Sequence, residues 1–125
     1  IARAFAVSIA YENVLAQRLI DGLSDIDGLT IRGITDPKRL SERVPTVSFT
    51  VDGIAPETIV RQMNSENIFL WSGHNYAWEI VHQLGIPAEQ GVVRIGIAHY
   101  NTSAEIDETL ESVHRVIAML RQQRA

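Results

Sequence analysis

One arginine stands inside an otherwise uncharged stretch near the end of the chain. Residues 91–98 read GVVRIGIA, and Arg94 is the only charge among them. Because an unpartnered guanidinium destabilises a folded interior, this charge indicates either a binding role or an ion pair. Strand alternation places Val93 and Ile95 on one face and Arg94 and Gly96 on the other. The small neighbour leaves room for a ligand, and a guanidinium can hold a carboxylate by two parallel hydrogen bonds. The alternative, an ordinary ion pair with one of the 15 acidic residues, stays open.

The composition excludes several other kinds of chemistry. The chain has no cysteine, which removes disulfides, thiolate catalysis and cysteine zinc sites. Its net charge is -4 and its basic residues are scattered, which argues against a nucleic-acid partner. No stretch approaches the roughly 20 apolar residues of a membrane span, and the first residues lack the layout of a signal peptide. We therefore expect a cytoplasmic protein, and the absence of an initiator Met suggests a piece of something longer.

The elements that must position Arg94 can be predicted from hydrophobic periodicity. A first helix spans residues 1–26, and its first ten residues, IARAFAVSIA, are apolar nearly all round. We expect that surface to face a missing partner, either another domain or another subunit. The alternative is a frayed end at a crystal or dimer contact.

Strands and helices then alternate along the rest of the chain. Strands are predicted within residues 28–35, 46–53, 68–73 and 91–98, and helices within residues 56–64 and 75–85, followed by a last helix that carries Ile106, Leu110, Val113, Ile117 and Leu120 on one face. Thr102 and Glu105 match a capping box before the last helix. By strand parity His99 is expected to be a structural histidine facing the core. This order predicts one α+β domain over residues 1–125: a two-layer sandwich of a small, mainly antiparallel four-stranded sheet with helices on one face.

Several segments together resemble one family in the right order. The stretch VVRIGIAHYNTSAEIDETLESV, residues 92–113, resembles the end of class V aminotransferase-like enzymes, the pyridoxal-phosphate group that includes cysteine desulfurases. The stretch VPTVSFTVDGIAPETIVRQMNSENIFLWSGHNYA, residues 44–77, resembles the earlier part of the same C-terminal domain. The resemblance implies that the chain is the small domain of a fold-type I enzyme, with residues 1–26 leading out of a large domain of the same polypeptide.

The resemblance also implies roles for individual residues. Arg94 would bind the α-carboxylate of an amino-acid substrate. Residues 71–79, WSGHNYAWE, would form a loop at the mouth of the active site, where His74, Asn75 and Tyr76 contact substrate. Alternatively, Trp71 and Tyr76 are core aromatics and His74 only caps a short helix. The full-length enzyme would use pyridoxal 5'-phosphate and form a homodimer, with transamination, elimination or racemisation all open.

The sequence departs from the resembled family at two points. Related desulfurases carry a nucleophilic cysteine in a Gly-His-His-Cys-Ala segment, whereas this chain has Gly73, His74, Asn75, Tyr76 and Ala77. Cysteine desulfurase activity by the usual mechanism is therefore not expected. A pyridoxal-phosphate enzyme also needs a lysine that holds the cofactor, and the only lysine here is in a polar connector.

That lysine, Lys38, does not resemble the cofactor lysine of the family, which belongs to the large domain. We therefore expect the 125 residues alone to be inactive. Two rival interpretations remain. The chain could be a non-catalytic α+β module that binds a small carboxylate ligand or a partner chain, or it could be a scaffold domain without a ligand.

Overall fold

Within the residues that the structure describes, the chain forms four strands, four α-helices and one short 3-10 helix. The computed structural model describes residues 2–124, so the predicted helix start at Ile1 lies outside the described residues. In chain order the elements are α1 (Ala2–Ser24), β1 (Leu29–Arg32), the 3-10 helix (Pro37–Glu42), β2 (Val47–Val51), α2 (Pro56–Ser65), β3 (Trp71–Gly73), α3 (Trp78–Gln83), β4 (Val92–Ile95) and α4 (Ser103–Gln122).

The four strands form one antiparallel sheet in the order β1-β2-β4-β3. The predicted α+β sandwich with a four-stranded antiparallel sheet is confirmed. Alternation in β2 and β4 turns Phe49 and Val93 toward the main core, where both are fully buried among side chains of α1, α2 and α4. The short helix α3 lies on the opposite face, because its Val81 packs with Ile86 against Val92. Helix α3 and this small second cluster therefore form a partial third layer, in addition to the sheet and the helix layer that the sequence predicts.

Helix α4 begins where the sequence predicts and presents one continuous stripe to the core. Thr102 Oγ1 accepts a hydrogen bond from the Glu105 backbone N–H at 3.2 Å, and the Glu105 carboxylate accepts one from the Thr102 backbone N–H at 2.7 Å. That backbone hydrogen bond is the largest of the interactions that lower the pKa of Glu105. The buried residues on this helix are Ile106, Ser112, Val113, Val116, Ile117 and Leu120.

Helix α1 is buried in its second half only. Leu15, Leu19 and Leu23 have no exposed surface, whereas Phe5 is 64% exposed and Val7 71% exposed. The apolar side chains of Phe5, Val7 and Ile9 are therefore not covered by the described part of the chain, and a partner that faces them stays a prediction. Within residues 2–124, no helix has both the length and the apolar content needed to cross a membrane.

Two local predictions are wrong, for identifiable reasons. Strand β3 is shorter than predicted because the Ile68 backbone N–H donates to Met63 O at 3.1 Å, at the end of α2, and is not available to the sheet. His99 does not face the core, because β4 ends at Ile95 and His99 lies in the turn before α4, where the Asn101 backbone N–H donates to Ala98 O. Its side chain is 67% exposed, with Nδ1 4.0 Å from Glu12 Oε1.

Candidate functional site

The face of the sheet opposite the main core carries a row of polar side chains. Arg32 on β1 is paired with Ser48 on β2, Ser48 is paired with Arg94 on β4, and Arg94 is paired with Trp71 on β3. Residues paired across neighbouring strands share a face of the sheet. In this row across all four strands, Ser48 therefore has one arginine on each side.

Arg32, Ser48 and Arg94 of this row line the floor of a cavity of about 520 Å³. One wall is α3 and the loop that precedes it, and another is the connector before β2. The polar lining residues are Arg32, Thr46, Ser48, His74, Asn75 and Arg94. The apolar lining residues are Val44, Ala77, Ile80, Val81, Leu84 and Val92. The cavity thus combines apolar walls with a few converging polar groups, which is typical of small-molecule sites.

Arg94 has no partner within residues 2–124. No carboxylate there lies within 4 Å of its guanidinium, and its side chain makes no hydrogen bond to the described residues. Beside it, a Cβ added to Gly96 would meet no atom within 4 Å. An ordinary ion pair, the alternative explanation of this arginine, is therefore not found in the described chain. The guanidinium is left available to an anion that enters the cavity.

Arg32 is a second cation of the same cavity, and the sequence reasoning missed it. Its Nε and Nη2 both donate to Thr50 Oγ1, at 3.2 and 2.8 Å, and the side chain is half-buried. The sequence did contain an indication, because neighbouring residues of a strand point to opposite faces of the sheet. Ile31 packs against the core, so Arg32 must lie on the other face. The strand order, which brings β1 next to β2, was needed to connect it with Arg94.

The loop after β3 presents two of the predicted site residues to the cavity. Asn75 and Tyr76 have φ angles of 49° and 63°, in the left-handed region that a bulky side chain rarely adopts. Strain of this kind concentrates at functional sites. Asn75 Nδ2 donates to Gly73 O at 3.1 Å, and His74 Nδ1 accepts the Tyr76 backbone N–H at 3.2 Å. A neutral His74 ring therefore carries its proton on Nε2, which remains a donor.

Tyr76 does not line the cavity that holds His74 and Asn75. It is fully exposed, and it borders a neighbouring cavity of about 340 Å³ together with Trp71, Asn75, Arg94 and Gly96. The alternative that Trp71 and Tyr76 are core aromatics is wrong, because Trp71 is also 72% exposed. Arg94 and Asn75 line both cavities, so each of the other three predicted site residues shares a cavity with Arg94.

Two close backbone contacts hold these walls in place. Gly91 and Gly73 form an isolated bridge at the base of the loop after β3, and a Cβ on Gly91 would lie 2.0 Å from the Gly73 carbonyl carbon. On the other side, Arg43 donates to Ile34 O and, at 2.8 Å, to Thr46 O. Partial burial lowers the pKa of Arg43. This arginine is structural, since it ties the connector to β2.

The described residues do not fit attachment of pyridoxal phosphate to this chain. Lys38, its only lysine, is exposed on the 3-10 helix and lies outside the cavity lining. The lining offers guanidinium, imidazole and amide donors, which suit a carboxylate. Any cofactor at this site would have to be held by residues beyond this chain.

Comparison with known proteins agrees with this description. The family described as "Aminotransferase class-V" matches residues 3–109. An aminotransferase-like protein FGM3 from Gibberella zeae is 33% identical over 109 residues, which are 86% of this chain and 27% of that protein. A probable cysteine desulfurase from Mycolicibacterium paratuberculosis is 33% identical over 107 residues, 86% of this chain and 14% of that protein. The chain thus spans about a quarter or less of the length of these relatives.

Solved structures share the fold. A cysteine desulfurase from Thermococcus onnurineus matches 87% of this chain and 26% of its own with a TM-score of 0.77 and 27% identity. The cysteine desulfurase CsdA from Escherichia coli matches 88% of this chain and 25% of its own with a TM-score of 0.74, and at 22% identity it shows the fold alone. By its family match, its relatives and its sheet, this chain belongs to the class-V aminotransferase family.

Proposed function

We propose that this chain is the C-terminal small domain of a pyridoxal-phosphate-dependent enzyme that acts on an amino acid, and that Arg94 binds the substrate α-carboxylate. The observation that carries the proposal is an arginine without a partner in the described chain, at the edge of a cavity beside the open space over Gly96. The family match supports the enzyme class. Because relatives are several times longer, the remaining parts of the site belong to the large domain of the same polypeptide.

The chain's own contribution is binding and orientation. The guanidinium of Arg94 can hold a carboxylate through two parallel hydrogen bonds, which fix the substrate's direction as well as its position. His74 Nε2 and the Asn75 amide are further donors at the same cavity. Val81 of α3 is buried against Val92 and gives the cavity one apolar wall. When bound, pyridoxal phosphate supplies the electron sink, and orientation decides whether transamination, elimination or racemisation follows.

We infer that the usual desulfurase step does not occur on this chain. That step transfers sulfur to a cysteine thiolate, and the chain contains no cysteine. Tyr76 is in the corresponding place, and a phenol cannot accept sulfur as a persulfide. Incubation of the full-length protein with L-cysteine should leave the peptides of this chain unmodified by mass spectrometry. A sulfur adduct on any of these peptides would contradict the inference.

The role of Arg94 can be tested by ligand binding to the full-length protein. We expect Arg94→Ala to weaken binding of L-alanine about 10- to 100-fold, because a charge-assisted hydrogen-bonded pair is lost. Binding of ethylamine, which lacks the carboxylate, should change little. Titration calorimetry gives both affinities. Arg61→Ala is the matched control, because Arg61 is an exposed arginine that pairs with Glu57 at 2.6 Å and does not line the cavity. Equal L-alanine affinities in the Arg94→Ala variant and the wild-type protein would refute the carboxylate role.

We further propose that the full-length protein is a cytoplasmic homodimer joined through its large domain. The exposed apolar residues of the first half of α1, among them Phe5, Val7 and Ile9, support a large domain that covers them. Intact mass, light scattering and the visible absorption spectrum of the protein from its natural source test this. A colourless monomer of about this chain's mass would favour a non-catalytic carboxylate-binding module instead.

A further inference from the structure

The charge of the cavity differs in sign from the charge of the chain. The whole chain is acidic, with 15 acidic and 11 basic residues, yet the cavity lining contains two arginines and no acidic residue. One arginine suffices for one carboxylate. The carboxylate role proposed for Arg94 therefore leaves Arg32 unexplained. A second cation in the same cavity favours a second negative charge on the ligand, since opposite charges attract strongly where water is partly excluded.

Arg32 is held in place for such a role. Thr50 Oγ1 accepts hydrogen bonds from its Nε and Nη2, and the half-buried side chain lines the cavity. These bonds involve one edge of the guanidinium and leave Nη1 without a partner among the described residues. An arginine whose position is already fixed loses less conformational entropy when it binds an anion. No carboxylate within residues 2–124 lies within 4 Å of it.

The separation of the two arginines suits a short dianion. Arg32 and Arg94 are on strands that flank β2, both in register with Ser48. Two strand spacings place their Cα atoms roughly 10 Å apart. Both side chains leave the same face of the sheet toward one cavity, so the two guanidinium groups can bind the two ends of one small dianion.

We propose that the cavity binds an amino acid whose side chain carries a second anionic group, with Arg94 on the α-carboxylate and Arg32 on the distal anion. This inference rests on the proposed function, which assigns Arg94. It adds a specificity-determining residue, because Arg32 distinguishes an acidic side chain from its neutral counterpart. Ser48, between the two arginines in the row, adds a hydroxyl that can donate to either end.

The test compares matched ligand pairs on the full-length protein, both loaded with pyridoxal phosphate and stripped of it. The probes are L-aspartate against L-asparagine, L-glutamate against L-glutamine, and O-phospho-L-serine against L-serine. Titration calorimetry gives a preference ratio for each pair. We expect the wild-type protein to favour the acidic member of at least one pair about 10-fold or more. That preference should fall as salt is added.

Variants separate this inference from the proposed function. Arg32→Gln keeps a hydrogen-bond donor for Thr50, and we expect it to lower the preference ratio about 10-fold. Arg32→Lys keeps the positive charge and should retain part of the preference for the acidic ligand. Arg94→Gln should weaken both members of each pair together. Arg61→Gln is the control for loss of a surface charge. A wild-type protein without an acidic preference, or an unchanged ratio in Arg32→Gln, would overturn the inference. The effect of Arg94→Gln on both members of each pair tests the proposed function separately, because it does not depend on the role of Arg32.

Discussion

The contact between Gly91 and Gly73 allows a sharp prediction about the loop that carries His74. Gly91 has a φ of 65°, and a Cβ at this position would lie 2.0 Å from the Gly73 carbonyl carbon and 2.2 Å from its oxygen. Both are backbone atoms, which cannot rotate away as a side chain can. Gly91→Ala must therefore separate the Gly91 backbone from Gly73, the residue from which the loop after β3 begins.

The magnitude follows from comparison with a second glycine. Gly85 has a φ of 69°, but a Cβ there would meet no atom within 4 Å. Gly85→Ala should therefore lower the free energy of unfolding only by the left-handed backbone penalty, about 1 kcal/mol. Gly91→Ala has the same penalty plus the clash, and an overpacked site typically adds about 1 to 3 kcal/mol. We expect a total loss of about 2 to 4 kcal/mol for Gly91→Ala.

Equilibrium urea unfolding, followed by circular dichroism, measures both variants against the wild-type chain. Hydrogen exchange adds a local readout, since amides of residues 71–77 should exchange faster in Gly91→Ala and not in Gly85→Ala. An equal loss of stability in the two variants, within the roughly 0.5 kcal/mol typical of ordinary surface substitutions, would rule out a clash between Gly91 and Gly73 as the cause. Faster exchange throughout the sheet would also contradict a local displacement.

Three further predictions concern stability, each measured by urea unfolding. Thr102→Ala removes the cap of α4 and should lower the free energy of unfolding by about 1 kcal/mol, whereas Thr102→Ser should lose much less. Phe49→Ala, which empties a fully buried position, should lower it by about 3 to 5 kcal/mol. The hydrogen bond from Arg18 lowers the pKa of Asp107 below that of the unfolded chain. This pair therefore stabilises the fold above the unfolded pKa and loses its effect as the pH falls through the folded one. The stability difference between wild type and Asp107→Asn should shrink as the pH is lowered below about 4, and a constant difference would contradict the assignment.

Much of the fold follows from local sequence patterns. The capping box of Thr102 and Glu105 and the alternation around Phe49 each depend on neighbours within a few residues, so periodicity alone finds them. The failures have a different origin. Strand β3 is shortened by a contact between Ile68 and the end of α2, and His99 lies beyond the end of β4. Both depend on where a strand stops, which tertiary contacts decide.

The site was predictable only in part for a related reason. Arg94 stands out because an isolated charge in an apolar run is visible in the sequence itself. The shared cavity of Arg94 and Arg32 depends on the strand order, which brings together positions 62 residues apart. The exposure of Tyr76 depends on two successive left-handed residues, which no periodicity reveals. Function-bearing residues on different strands thus need the topology before they can be grouped.

Helix α1 has a mechanical consequence. Its 23 residues form one uninterrupted rod roughly 35 Å long, anchored at one end by Leu15, Leu19 and Leu23 against the sheet. A partner that bound to its exposed first half would be connected to the sheet by a rigid helix and not by a flexible linker. A small rotation at that end would then be carried to the sheet that bears Arg94.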